Sequence, residues 1–173
     1  MKKVLIVVDM LNGFLIPGAP LYCGEASRRI IPFVKEMIDS YNREGSPVIF
    51  LADNHTPDDP EFAMFPPHCV KGTEEAQVID ELKENAGRGI IIPKTRFSGF
   101  YKTDLGNILA EMRPDLVEVV GVCTNICVLY TVEGLRNRDY SVRVHRRGVA
   151  SFDVEAHEFA LAQMRSVLGA EVL

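Results

Sequence analysis

The chain has 173 residues, of which 47% are hydrophobic and 25% charged, a composition typical of a globular protein that can bury a substantial core. Its net charge of −5 is spread along the chain and gives no reason to expect a nucleic acid or an anionic membrane as partner. No apolar run approaches the ~20 residues of a membrane span, and the few, irregularly spaced cysteines predict a cytoplasmic protein with reduced thiols.

Short apolar runs rich in β-branched residues alternate with longer amphipathic stretches. The predicted strands are Val4–Val8, Val48–Ala52, Gly89–Pro93, Leu116–Gly121, Ser141–His145 and a marginal sixth, Glu171–Leu173. The predicted helices are Glu25–Glu44, Glu74–Asn85, Asp104–Glu111, Asn125–Asn137 and Val154–Val167. Strands that are apolar throughout are buried on both faces. The alternation predicts one α/β domain, residues 1–173, with helices on both faces of a mainly parallel sheet.

Polar residues follow four of these strands directly. Asp9, Asp53, Lys94 and the segment Val122–Cys127 each come just after an apolar run. Because functional sites in open α/β sheets gather at the carboxyl ends of the strands, we expect these positions to share one edge of the fold. The proline-containing stretch Asp53–Thr73 has no regular pattern, and long ordered loops of this kind are usually functional.

Three of these positions suit acyl transfer by a cysteine. Thr124 or Asn125 is predicted to cap a helix with Cys127 in its first turn, where the helix dipole favours a thiolate. An ammonium at Lys94 would lower the thiol pKa, and Asp9 could accept the thiol proton and pass it to a leaving amine. Taken singly, the three could also be an inert buried thiol, a solvated strand end and a turn residue.

A second group of polar residues could bind a metal. Asp53 and His55 form an Asp-x-His pair, with Glu61 and His68 further along the loop. A carboxylate with two imidazoles suits Zn²⁺, Fe²⁺ or Mn²⁺. The alternative interpretation is a polar loop whose histidines are solvated.

In these segments the chain resembles the isochorismatase-like cysteine hydrolases, and within them it is most similar to nicotinamidases. The resemblance covers most of the chain in the family's order, in the motifs VVDMLNGF (7–14), DNH (53–55), EFAMFPPHCVKGT (61–73), PKTRFSGFYKTDL (93–105) and GVCTNICV (121–128). It implies a Rossmann-like, three-layer α/β/α fold with a six-stranded parallel sheet.

The resemblance also implies roles for particular residues. The nucleophile is the cysteine before a valine, Cys127, with Asp9 and Lys94 as its catalytic partners. A cis peptide between Val122 and Cys123 is implied, which turns the Cys123 N–H toward the substrate so that it forms an oxyanion hole with the Cys127 N–H. The implied ligands of a divalent metal, zinc or else iron or manganese, are Asp53, His55, Glu61 and His68.

The implied reaction is hydrolysis of nicotinamide, a small amide, to nicotinate and ammonia through a thioester. Phe14, Phe97 and Phe100 could pack around the flat ring or belong to the core. Asn54 and the short loop between His55 and Glu61 depart from the family pattern, and both could reshape the substrate pocket without changing the thiol chemistry. The alternatives are a metal-free amidase or vinyl-ether hydrolase, and a non-catalytic binding module. The family resemblance also favours a homo-oligomer.

Overall fold

The computed structural model describes residues 1–173, and its strands form one six-stranded sheet in the order β3-β2-β1-β4-β5-β6. All neighbouring strands are parallel. The strands are β1 Lys3–Val8, β2 Val48–Asp53, β3 Ile90–Lys94, β4 Leu116–Val122, β5 Val142–Ala150 and β6 Glu171–Val172. The predicted α/β fold with a six-stranded parallel sheet is therefore confirmed, although β5 extends five residues beyond its predicted end.

Seven α-helices connect or flank these strands: α1 Asn12–Leu15, α2 Glu25–Arg29, α3 Ile31–Arg43, α4 Lys83–Ala86, α5 Leu105–Met112, α6 Leu129–Arg136 and α7 Val154–Ser166. The predicted helix Glu25–Glu44 is divided at Ile30, because Pro32 in the first turn of α3 has no N–H to continue the hydrogen bonds of α2. None of the helices has both the length and the apolar character needed to cross a bilayer.

The predicted single helix Glu74–Asn85 is wrong. The chain there makes short 3₁₀ turns at Glu74–Ala76 and Asp80–Leu82 before α4 begins. Between the turns the backbone is extended and pairs with the segment after β1. The Asn12 N–H donates to the Gln77 carbonyl at 2.9 Å, and the Ile79 N–H donates to the Met10 carbonyl at 3.1 Å. These long-range bonds replace the local bonds of a helix.

The two faces of the sheet bury two separate apolar cores. Alternate side chains of β1 divide between them, since Leu5 and Val7 belong to one core and Ile6 and Val8 to the other. The first core is covered mainly by α3, and the second by α5, α6 and α7. The carboxyl ends of the strands lie between these two layers of helices.

Gly121 brings the end of β4 close against β1. It pairs with Val8 in register and has a φ of +119°, a conformation that side chains rarely adopt. A Cβ atom there would lie 2.1 Å from the Val8 carbonyl oxygen. This close approach places the residues after β4 beside those after β1.

We expect Gly121→Ala to lower the free energy of unfolding by more than about 3 kcal/mol, since both the φ value and the contact with Val8 oppose a side chain. Urea denaturation would measure the change. Gly106→Ala is the matched control. Gly106 lies in α5, and a Cβ atom there would meet only the Phe100 side chain, at 3.9 Å. Equal stability of the two variants would contradict this interpretation.

A carboxylate is buried within the sheet on β4. Glu118 is 6% exposed and accepts hydrogen bonds from the Tyr41 hydroxyl, from Arg143 Nη1 at 3.0 Å and from His145 Nε2 at 3.0 Å. Burial alone would raise the Glu118 pKa, but the bonds from His145, Tyr41 and Arg143 lower it to about 2. The ionised form therefore stabilises the fold.

Because the folded-state pKa of Glu118 lies below its ordinary value of 4.5, the stabilisation is complete above that pH and is lost as the pH falls through about 2. Glu118→Gln should cost about 1–3 kcal/mol of unfolding free energy at neutral pH. Urea denaturation of both proteins at a series of pH values should show this difference narrowing below pH about 4. A difference in unfolding free energy that stays the same at every pH would contradict an ionised Glu118 in the folded protein.

Candidate active site

The predicted nucleophile lies in a tight turn between β4 and α6. Residues Thr124–Val128 form one π-helical turn, and the Val122–Cys123 peptide before it is cis, as predicted. The Cys123 carbonyl accepts a hydrogen bond from the Val128 N–H at 3.2 Å. Cys127 is buried within this turn, which directs its side chain toward the carboxyl end of the sheet.

The predicted helix cap is wrong, because neither candidate side chain bonds to the turn's own backbone. Thr124 Oγ1 is hydrogen bonded to His157 Nδ1 at 2.8 Å, and Asn125 Oδ1 accepts from the Ser151 hydroxyl at 2.6 Å. Both side chains therefore tie the turn to neighbouring segments instead, to Ser151 directly after β5 and to His157 of α7.

A buried ammonium links the predicted catalytic residues. Lys94 Nζ lies 2.8 Å from Asp9 Oδ2 and 3.6 Å from Cys127 Sγ, and it also donates to Asp53 Oδ1. Asp9 Oδ1 accepts the Asp53 N–H at 3.0 Å. Ligand atoms of Asp9, Asp53 and Cys127 lie within 4.8 Å of one another. The structure thus brings Asp9, Lys94 and Cys127 together, as the hypothesis of acyl transfer requires.

Burial and charge set the proton positions in this cluster. Burial and the Asp53 charge raise the pKa of Asp9 to about 6, although Lys94 opposes them. Burial also raises the pKa of the Cys127 thiol well above its ordinary value; Lys94 opposes this effect, and the charges of Asp9 and Asp53 add to it. We expected the helix terminus to favour a thiolate. Burial instead favours the thiol form of Cys127, which lies beside an ionisable carboxylate.

The candidate metal ligands converge beside this cluster. His55 Nε2 lies 3.6 Å from Asp53 Oδ2 and 4.0 Å from Glu61 Oε1, and His68 Nε2 lies 3.8 Å from each of the same two oxygens. Neighbouring ligand atoms around a tetrahedral zinc are about 3.4 Å apart, given bonds of about 2.1 Å. The four atoms therefore leave room for a divalent ion among them.

The surrounding hydrogen bonds orient both imidazoles. His55 Nδ1 is hydrogen bonded to Asp59 Oδ2 at 3.0 Å, and His68 Nδ1 to the Pro66 carbonyl at 2.9 Å, so that both Nε2 atoms face the carboxylates. His55 Nε2 is buried without any hydrogen-bond partner. An unpaired buried nitrogen among carboxylates fits a metal ligand better than a solvated loop residue.

Sequence reasoning missed the support behind His55. Arg96 Nη1 donates to Asp59 Oδ1 at 2.8 Å, and Asp59 also accepts the Glu61 N–H at 2.9 Å. The Asp59 carboxylate thereby holds two of the four candidate ligands. In the sequence, only the spacing of four residues between His55 and Asp59 pointed to this contact. The role of Arg96 could not be predicted, because its contact with Asp59 is made only in the tertiary structure.

The predicted nucleophile Cys127 and three candidate metal ligands, Asp53, Glu61 and His68, line one cavity of about 260 Å³. Phe14 and Phe97 line it. Phe100 does not, and of its two predicted positions it takes the one in the core. The ring lies against Gly134 of α6, where it would be 2.5 Å from an added Cβ, with the Arg138 guanidinium 4.1 Å from its centre. The aromatic lining residues that the sequence analysis missed are Tyr22, Phe65 and Phe152.

Solved structures of other proteins share this fold along the whole chain. Nicotinamidase/pyrazinamidase PncA from Bacillus subtilis is 35% identical, with a TM-score of 0.94 and 99% of each chain covered. N-carbamoylsarcosine amidase from Thermoplasma acidophilum is 33% identical, with a TM-score of 0.88 over 99% of this chain and 95% of that one. Pyrazinamidase of Pyrococcus horikoshii in complex with zinc is 31% identical, with a TM-score of 0.91 over 100% and 99%.

The sequence itself matches the isochorismatase domain model over residues 3–173, which is nearly the full chain. The predictions of this family and of a nicotinamidase-like hydrolase are confirmed. The chain therefore belongs to the isochorismatase family of hydrolases.

Proposed function

We propose that the protein hydrolyses nicotinamide to nicotinate and ammonia through a thioester on Cys127. The observation that carries this proposal is the single cavity lined by Cys127 and by three of the candidate metal ligands, Asp53, Glu61 and His68, with His55 clustered beside Asp53 and His68. A nucleophile beside a candidate metal site suits a small amide whose ring offers a nitrogen ligand. Similarity to the nicotinamidase/pyrazinamidase PncA from Bacillus subtilis supports the same substrate class.

Formation of the thioester begins with a proton transfer. Asp9 takes the proton of Cys127, and the resulting thiolate attacks the amide carbon. The negative oxygen of the tetrahedral intermediate accepts hydrogen bonds from the N–H groups of Cys123 and Cys127. The C–N bond then breaks, and the proton held by Asp9 leaves with the amine as ammonia. The pKa of Asp9, raised to about 6, suits a group that must both accept and return a proton.

Lys94 keeps its charge throughout. Burial disfavours an ammonium, but the carboxylates of Asp53 and Asp9 raise the Lys94 pKa well above its ordinary value. The ammonium therefore balances the charge that develops on Cys127 and does not itself donate a proton. In the second half of the reaction, Asp9 accepts a proton from the attacking water and the S–C bond breaks. Asp9 then returns that proton to the Cys127 thiolate, and nicotinate leaves.

The metal-binding group orients the substrate in this proposal. Asp53, His55, Glu61 and His68 would hold a divalent ion, and their nitrogen and oxygen donors suit zinc, iron or manganese. When bound, the ion supplies a Lewis-acidic site for the ring nitrogen. Phe14 and Phe97 then confine the ring so that its amide faces Cys127. The zinc in the related pyrazinamidase of Pyrococcus horikoshii supports this assignment.

Cys127→Ala should lower ammonia release from nicotinamide by at least about 10³-fold, because no thioester can form. Cys69→Ala is the matched control. Cys69 is equally buried but is absent from the cavity lining, so this variant should keep most of the activity. Ammonia release by Cys127→Ala at the wild-type rate would contradict the thioester intermediate. No ammonia release by metal-replete wild type would overturn the assignment of nicotinamide as the substrate.

Metal content provides a separate test that does not depend on turnover. His55→Ala and His68→Ala should each lose most of the zinc, iron or manganese measured by elemental analysis of untagged protein, since each removes a ligand. His157→Ala, which removes a histidine outside the group, should retain it. A metal-free wild type that still hydrolyses an amide would favour the second candidate, a metal-free amidase, which the likeness to N-carbamoylsarcosine amidase also supports.

A further inference from the structure

Two more thiols meet in the wall of the cavity. Cys23 Sγ lies 3.0 Å from Cys123 Sγ, although 100 positions of sequence separate the residues. Both are reduced and buried. The proposed reaction uses the backbone N–H of Cys123 but neither of these two sulfur atoms. The other two cysteines have different neighbours, since Cys69 Sγ contacts the Glu75 carbonyl and Cys127 lies beside Lys94.

The backbone holds the pair in place from two sides. The Cys23 N–H donates to the Phe14 carbonyl at 2.9 Å, and Cys23 Sγ lies 3.5 Å from the Leu21 carbonyl oxygen. Cys123 directly follows β4 and begins the turn of the nucleophile. Both cysteines line the cavity of about 260 Å³. A small neutral molecule that enters the cavity therefore reaches both sulfurs.

We propose that Cys23 and Cys123 form a modification site, at which hydrogen peroxide or a small organic hydroperoxide oxidises the two thiols to a disulfide. One sulfur attacks the peroxide, so that an S–O bond forms, the O–O bond breaks and water (or the alcohol) leaves. The second sulfur attacks the sulfenic acid, so that the S–S bond forms, the S–O bond breaks and water leaves. Two electrons pass to the peroxide, and both thiol protons end in the released products.

The change in geometry that this requires is small. A disulfide bond is about 2.05 Å long, so the sulfurs must approach each other by about 1 Å. The bond would join the wall segment containing Cys23 to the turn that carries Cys127. Hydrogen bonding to Cys23 and burial raise the pKa of the Cys123 thiol. Since the thiolate is the reactive form, oxidation is slow and the dithiol is the resting state.

The Cys127→Ala variant lacks the nucleophilic thiol, so that oxidation of Cys23 and Cys123 can be measured without oxidation of Cys127. It contains three thiols, Cys23, Cys69 and Cys123. After treatment with hydrogen peroxide, the number of thiols that iodoacetamide labels in the denatured chain should fall from three to one. Mass spectrometry of a digest made without reductant should find Cys23 linked to Cys123, and dithiothreitol should reverse the link. Three labelled thiols, or separate sulfinic acids without a link, would overturn the proposal.

Cys23→Ser in the same background is the matched control, and Cys123→Ser replaces it if that chain does not fold. Each should keep two labelled thiols and form no link. A link between the remaining cysteine of the pair and Cys69 in these chains would show that proximity does not select the pair, and would overturn the proposal.

A binding measurement tests the effect of the disulfide on the cavity. This expected effect on nicotinamide binding rests on the proposed function. Nicotinamide should bind the oxidised Cys127→Ala chain at least about tenfold more weakly than the reduced one, because shifts of about 1 Å disturb a close-fitting site. Equal binding would overturn this coupling. Lack of nicotinamide binding by the reduced chain would count against the proposed substrate alone, since the peptide map decides the disulfide independently.

Discussion

The buried ammonium of Lys94 is the interaction on which the rest of the site depends. Removing such a charge from water costs several kcal/mol unless opposite charges face it, and here Asp9 and Asp53 both do. The three residues come at the ends of β1, β2 and β3, which are neighbours in the sheet. Asp53 pairs with Lys94 directly in register. The parallel strand order therefore assembles the charges, and the carboxylates keep the lysine ionised.

Asp53 connects the two halves of the site. One of its oxygens accepts from Lys94, and the other lies between the Nε2 atoms of His55 and His68. Burial opposes its charge, but Lys94, His55 and His68 together hold the pKa of Asp53 well below its usual range. In the proposed reaction, Asp53 would therefore remain a carboxylate while Asp9, with its raised pKa, would exchange protons with Cys127. The pKa values of these two neighbouring carboxylates shift in opposite directions because their surroundings differ.

The sequence predicted some features well because they are local. Apolar runs that end in a polar residue identified the strands and the edge at which Asp9, Asp53 and Lys94 meet. Helices were predicted less well. The stretch Glu74–Asn85 has helical spacing, but Gln77 and Ile79 gain hydrogen bonds to the segment after β1. The position that Phe100 takes has a similar cause, since the space beside Gly134 exists only once α6 has packed.

The sequence by itself determined the succession of strands and helices along the chain, the family, and the types of side chain available for catalysis and metal binding. Only the tertiary structure decided which side chains meet. The contact between Cys23 and Cys123 and the support of His55 by Asp59 and Arg96 arise in this way. The physical reason is that periodicity reports burial of single elements, whereas these distances depend on strand order, register and the paths of the loops between them.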